Sequence, residues 1–173
     1  MKVLRFYKNG CLHNANGPAV IWPDDRIEWW IEGDRICTYE AGEGIFWFKG
    51  HYYHREYGPA VIMFDIRKEW WVNGRLHRED GPAVTYANGT KQWHRHGYFH
   101  GEDGPSITHA NGHEEWWMNG IFHREDGPAI IRSDGSKQWW VNGRLHRKDG
   151  PAVVRINGRD EWWIDGERRE DLE

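Results

Sequence analysis

One sixteen-residue phrase constrains this chain more than any other feature. Glu69 to Val84 reads EWWVNGRLHREDGPAV; Glu115 to Ile130 reads EWWMNGIFHREDGPAI; Gln138 to Val153 reads QWWVNGRLHRKDGPAV. Gln92 to Ile107, QWHRHGYFHGEDGPSI, is a looser copy. Gly-Pro pairs begin at Gly17, Gly58, Gly81, Gly104, Gly127 and Gly150; the first step is 41 residues and the other four are 23. The glycine after each aromatic pair keeps the same beat at Gly10, Gly33, Gly50, Gly74, Gly97, Gly120, Gly143 and Gly166. The long gap therefore hides a decayed unit, 28–44, which keeps Trp29-Trp30 and lacks the His-Arg and Gly-Pro parts. The last unit, 161–173, is short. A fixed period of this length means stacked copies of one small unit, each burying its apolar face only against its neighbours. The expectation is one repeat domain over 1–173, with no second domain and no linker.

Each unit reads as two short strands. Glu69 to Val72 is rich in strand formers and stops at Asn73-Gly74, where both residues tolerate positive φ. The second strand is expected from Pro82 to Tyr86, between turns at Asp80-Gly81 and Asn88-Gly89. No stretch keeps helical periodicity, so almost no helix is expected. Strict alternation puts Trp70 and Val72 on one face, and Glu69, Trp71 and Asn73 on the other. Aligned on the turn glycine, the first face carries Phe6, Trp29, Phe46, Trp70, Trp93, Trp116, Trp139 and Trp162. It is read as the packed face, with the Val84 row also interior. The second carries Tyr7, Trp30, Trp47, Trp71, His94, Trp117, Trp140 and Trp163. It is read as aromatic but wet, as a contact surface would be.

Trp71-Val-Asn-Gly74 and Tyr86-Ala-Asn-Gly89, set in a 23-residue period, resemble MORN repeats. The likeness spans nearly the whole chain. It is similar in particular to the divergent MORN-variant proteins of bacteria, phages and large viruses, some of them antitoxins. His-Arg-Glu-Asp-Gly-Pro-Ala here stands where that family has Gly-x-Gly between strands. The resemblance implies an all-β, elongated, single-layer antiparallel sheet of consecutive hairpins and a non-enzymatic role in holding partners. Strand spacing alone agrees, giving a ribbon on the order of 65 Å long. The charged tail Glu167 to Glu173 is expected to discourage edge pairing.

Composition narrows the functional classes. A net charge of −4 gives no basic footprint, so nucleic acid is not an expected partner. Thirteen tryptophans suit a thin structure in which large rings supply the buried area. Cys11 and Cys37 fall out of register with the repeat and are read as free thiols. The start MKVLRFYKNG lacks an apolar core of the signal-peptide kind, and no apolar run is long enough to span a membrane. The expected setting is cytoplasmic, with no cofactor.

The expected activity is binding, with another protein as the partner. Trp71, Trp117, Trp140 and Trp163 offer spaced aromatic anchors. The alternative is a small anionic or sugar ligand at the divergent unit, where Trp93-His94-Arg95-His96 replaces Trp-Trp-Val-Asn. His94, His96 and His109, with Arg95 reaching round, form a cationic pocket in that reading. His94 and His96 are also spaced like metal ligands, but no third ligand is fixed by spacing, so no metal is assigned. The recurring His-Arg pairs read as turn chemistry, or as a cationic row. Ser106, Ser133 and Ser136 lack a nucleophile elbow, and the Glu-Asp pairs recur along the array instead of meeting in one pocket. No catalytic residue is assigned.

Overall fold

The computed structural model describes residues 2–170; the last three residues of the charged tail lie outside them. The chain is all-β, built from short antiparallel strands that pair with their neighbours in sequence, and no α-helix forms among the described residues. The chain gathers into two compact units. The first runs to Arg78 and takes in Ala83–Ala87; the second comprises Glu79–Pro82 and the chain from Asn88 onward.

In the first unit the sheet runs Leu4–Arg5, Val20–Ile21, Ile27–Ile31, Asp34–Glu40, Gly44–Lys49, Val61–Met63, Arg67–Glu69, Val84–Tyr86. In the second it runs Lys91–Gln92, Ile107–Thr108, Glu114–Glu115, Ile130–Ile131, Lys137–Gln138, Val153–Val154. Both are antiparallel meanders in a single layer. Beside them stands a row of two-residue hairpins, such as Trp71–Val72 with Arg75–Leu76 in the first unit. In the second, Trp117–Met118 pairs with Ile121–Phe122, and Trp140–Val141 with Arg144–Leu145.

The expected continuous strand from Glu69 to Val72 is therefore corrected: it breaks at Trp70. The Trp70 N–H bonds Ala83 C=O at 2.7 Å, while its own C=O accepts from His77 N–H at 3.0 Å. One peptide thus belongs to the sheet and the next to the side hairpin. The second strand likewise starts at Val84, two residues later than expected.

The break redistributes the faces. Glu69 pairs with both Val61 and Val84, so the three share one side of the sheet. That side is buried: Val61 and Val84 are in the core, and so is Glu69 at 8% exposure, while the adjoining Ala60 and Ala83 are buried as well. Val84 is interior as expected, whereas Glu69 is inside instead of on the wet face. Both tryptophans of the pair Trp70-Trp71 are half-buried, so neither is the inward or the outward member.

The unit 28–44 shows what the His-Arg-Glu-Asp-Gly-Pro-Ala segment does. Lacking it, the chain runs straight from the side hairpin into the sheet, as strands Ile27–Ile31 and Asp34–Glu40 with a register shift between Trp29 and Trp30. Elsewhere the segment is an insertion that detaches the hairpin from the sheet. Both cysteines are free; burial pushes the Cys37 thiol up to about 11, against the pull of Arg55, so it stays protonated.

The Asn-Gly turns form as expected. Asn119 and Gly120 both take positive φ, at 52° and 82°, the geometry that matches strand twist in a two-residue hairpin. Asn119→Gly should leave stability nearly unchanged, whereas Asn119→Val should cost about 1–2 kcal/mol, because a β-branched residue resists the left-handed region. Urea unfolding midpoints measure both; equal midpoints would show that the turn geometry is misassigned.

Candidate binding surface

The sheet interior alternates apolar and acid or amide residues. In the second unit the register aligns Gln92, Ile107, Glu115, Ile130, Gln138, Val153 and Glu161 across neighbouring strands. Each acid or amide faces the residue two positions on. Trp71 Nε1 donates to Glu69 at 2.7 Å, Trp30 to Glu28 at 2.8 Å, and Trp117 to Glu115 at 2.8 Å. Trp163 donates to Glu161 at 2.9 Å and Trp140 to Gln138 at 3.0 Å. The indole N–H of the second tryptophan is thus consumed inside the molecule, and each ring is fixed by it. The lock holds the Glu161 carboxyl below its ordinary range, through Trp163 first and then Arg155.

Charge is matched position by position. Two residues before the acid stand Arg26 for Glu28, Arg67 for Glu69, and His113 for Glu115. Glu161 is paired by Arg155 at 2.5 Å. Where the acid is an amide, Gln92 or Gln138, the same position holds Thr90 or Ser136. Sequence reading missed this row, although the contrast of Arg67-Lys-Glu69 with Ser136-Lys-Gln138 was there to find.

The rings of the second row stack along the side hairpins. Phe99, Trp117, Phe122 and Trp140 follow one another at centroid separations of 5.5, 3.7 and 5.5 Å. Trp71 sits 5.7 Å from Tyr53, which meets Phe48 at 5.2 Å. Trp47, read into this row from its turn glycine, belongs to the other: it bonds Ala60 C=O as Trp70 bonds Ala83 C=O. Phe48 pairs with Tyr53, as Trp71 pairs with Leu76. The turn in this unit places glycine first and His51 second, which shifts the alignment by one residue.

The His-Arg segment is a structural clasp. His54 Nδ1 accepts the N–H of Asn73, nineteen residues on; His13, His123 and His146 accept from Glu32, Asn142 and Asp165 in the same way, at 3.1–3.2 Å. Each histidine so placed ties one unit to the turn of the next. The arginine that follows lies over the first tryptophan: Arg55 over Trp47 at 3.9 Å, Arg78 over Trp70 at 4.2 Å, and Arg124 and Arg147 over Trp116 and Trp139 at 4.1 Å. Arg124 also donates to Pro128 C=O and to Asp126. The glycine before proline leaves room for this guanidinium, since a Cβ on Gly127 would stand 3.0 Å from Arg124 Cζ. In the divergent unit Gly101 replaces the arginine. Ser106 fills the alanine position, and its hydroxyl bridges the backbone N–H and C=O of Trp117 at 2.9 and 2.8 Å. Ser106 is a strut.

The candidate residues therefore separate. Trp71, Trp117, Trp140 and Trp163 are in the locked ring row. His94 is buried at 6%, stacked 4.2 Å from Phe99, with Nε2 3.4 Å from Gln92. It fills a tryptophan position. Arg95 pairs with Glu102 at 2.5 Å near the surface. His96 is exposed in the turn at φ 53°. His109 stands elsewhere, with His113 and Glu115.

Opposite the locked rings, the side hairpins present a different surface. Met118 pairs with Ile121 on the face away from Trp117 and Phe122. Tyr98, Met118 and Ile121 are 60%, 38% and 46% exposed. Tyr98 lies over Gly120, where a Cβ would meet its ring at 3.0 Å. The open groove between the last two full clasps is electrically balanced, with Arg124, Arg147 and Lys148 facing Glu125, Asp126 and Asp149, whereas the one beside the divergent unit sets Glu102, Asp103, Glu125 and Asp126 against Arg124.

Compared with known proteins, the chain matches no family model, and no curated protein matches it significantly. No helix among the described residues is long and apolar enough to cross a membrane.

The charge-matched row is open to test in the first unit. Arg67→Ala leaves the buried Glu69 without its cation and should cost about 1–3 kcal/mol. Adding Glu69→Gln should restore most of that loss, since Gln92 and Gln138 occupy the position without a cation. Urea unfolding of the three variants gives the coupling; a double variant no more stable than Arg67→Ala would refute the pairing.

Proposed function

We propose that this is a non-enzymatic, MORN-like repeat protein that holds another protein against the outer face of its side hairpins. The carrying observation is the apolar strip of Tyr98, Met118 and Ile121, exposed beside salt-bridged residues such as Arg95 and Glu102. An exposed strip with a charged rim is the composition of a protein contact surface. The reading shifts the anchors from the second tryptophans, whose indole N–H groups are spent on Glu and Gln, to the residues on the reverse side of the same hairpins. The tryptophans then serve as the rigid backing that holds the strip in place.

An anionic or sugar ligand at the divergent unit draws less support. His94 is committed to Phe99 and Gln92, Arg95 to Glu102, and the groove beside this unit sets Glu102, Asp103, Glu125 and Asp126 against Arg124. A net positive field, which an anion site requires, is missing from that groove.

The test is co-purification from the source cells with wild type, Met118→Glu/Ile121→Glu and Trp22→Phe as a distant control. A single protein recovered in stoichiometric amount with wild type and control, and reduced at least about tenfold with the double variant, supports the proposal. Near-UV circular dichroism must show the variant folded. Equal recovery with all three would reject the strip as the contact.

A further inference from the structure

The turn between Ile107–Thr108 and Glu114–Glu115 sets two imidazoles over one carboxylate. His109 N–H bonds His113 C=O at 2.8 Å, and His113 N–H bonds Asn111 Oδ1 at 3.0 Å, so both histidines sit on a closed, hydrogen-bonded turn. His113 Nε2 lies 2.9 Å, and His109 Nε2 3.5 Å, from Glu115 Oε1. One ligand atom from each residue falls within 4.8 Å of the other two, the only such group of His, Cys, Asp and Glu among the described residues. The imidazole rings stand edge to face, 4.9 Å apart.

The two histidine–carboxylate separations bracket that between neighbouring ligand atoms in a coordination sphere. Zinc with ligands at about 2.0–2.2 Å in a tetrahedron sets neighbouring ligand atoms roughly 3.3 Å apart. The carboxylate is already oriented from behind, because Trp117 Nε1 holds its other oxygen at 2.8 Å. The site is open to solvent through His109, whose side chain is 37% exposed.

Neutralising Glu115 does not by itself call for two histidines. At Glu28 and Glu69 one arginine suffices, and at Gln92 and Gln138 the charge is simply absent. Among the described acids of this row, only Glu115 faces groups of a type that ligates metals.

We propose that His109, His113 and Glu115 bind one divalent transition metal of the zinc type, leaving at least one coordination position for water or an outside ligand. Two imidazole nitrogens with one carboxylate oxygen suit a borderline cation better than calcium or magnesium, which take oxygen-only shells. The inference is independent of the hairpin contact strip.

The experiment uses the full chain, stripped with chelator, at neutral pH. Zn²⁺ is titrated by calorimetry and Co²⁺ by visible absorption. One equivalent of Zn²⁺ and a four-coordinate Co²⁺ spectrum are expected, with affinity falling on acidification as protons compete for the imidazoles. His109→Gln/His113→Gln should weaken Zn²⁺ by at least about tenfold. Glu115→Gln should weaken it too, and it keeps the fold by copying Gln92 and Gln138. His51→Gln, an exposed histidine outside the cluster, should bind as wild type. No saturable binding by wild type, or unchanged binding in either cluster variant, would overturn the assignment, as would equal loss with His51→Gln.

Discussion

A carboxylate taken out of water must find donors and a counter-charge, or folding stalls on its desolvation. Glu28 and Glu69 sit inside this sheet at 6% and 8% exposure, Glu69 between Val61 and Val84 and Glu28 between Val20 and Thr38 on the neighbouring strands. What meets their need is local. The residue two positions on gives an indole N–H, and the residue two positions back gives a cation. A strand rises about 3.3 Å per residue and shows alternate residues on one face, so all three side chains meet without help from distant chain. The tryptophan ring is then held at one angle, and the ring ladder of the side hairpins is built on rings already fixed.

The divergent units support this ordering because their substitutions move together. Where the tryptophan is Phe48, with no N–H to offer, the acid position is Phe46 and the cation position is Gly44. Where it is His94, the acid is Gln92 and the cation position is Thr90. The unit 28–44 has lost the entire clasp, yet Trp30 still donates to Glu28 at 2.8 Å. The acid lock therefore forms without the clasp. The clasp contributes something else: its histidine joins a unit to the turn of the next, and its arginine covers the first tryptophan. Cation–π contacts of this kind add about 0.5–2 kcal/mol each, and a repeat array adds such terms along its length.

The period, the Asn-Gly turns and the all-β class were legible because each follows from a local rule about φ or spacing. The faces were not. Strict alternation assumes a strand continuous through Trp70, but Trp70 is where the chain leaves the sheet, so parity changes there. The insertion responsible, His77 to Ala83, contains the signal: seven residues containing Gly-Pro are too many for a hairpin connection and too polar for strand. Alignment on Gly50 puts Trp47 in the wrong row, because this turn carries its glycine one residue early. Counting from Pro59 to Pro82 gives 23, and from Trp47 to Trp70 also 23, which is the alignment the backbone adopts. The pairing of Arg67 with Glu69 was hidden for a different reason. A charged residue in a strand is ordinarily assigned to solvent, and nothing local marks it as buried.

Glu115 is where the same rule has been met differently. Arginine balances a buried acid permanently, since it does not lose its proton in a protein. Glutamine removes the need. His113 and His109 meet it with imidazoles, which are of the metal-ligating kind, and the carboxylate they face is kept in place by Trp117. Trp117 also stacks 3.7 Å from Phe122, whose neighbour in the same strand, Ile121, lies on the exposed strip. A change in what sits on Glu115 therefore acts on a ring that backs the surface on the other side of the same hairpin. Through any other acid of the row the balancing charge is fixed, so this unit alone gives the array a place where a bound ion can bear on the rings behind its outer face.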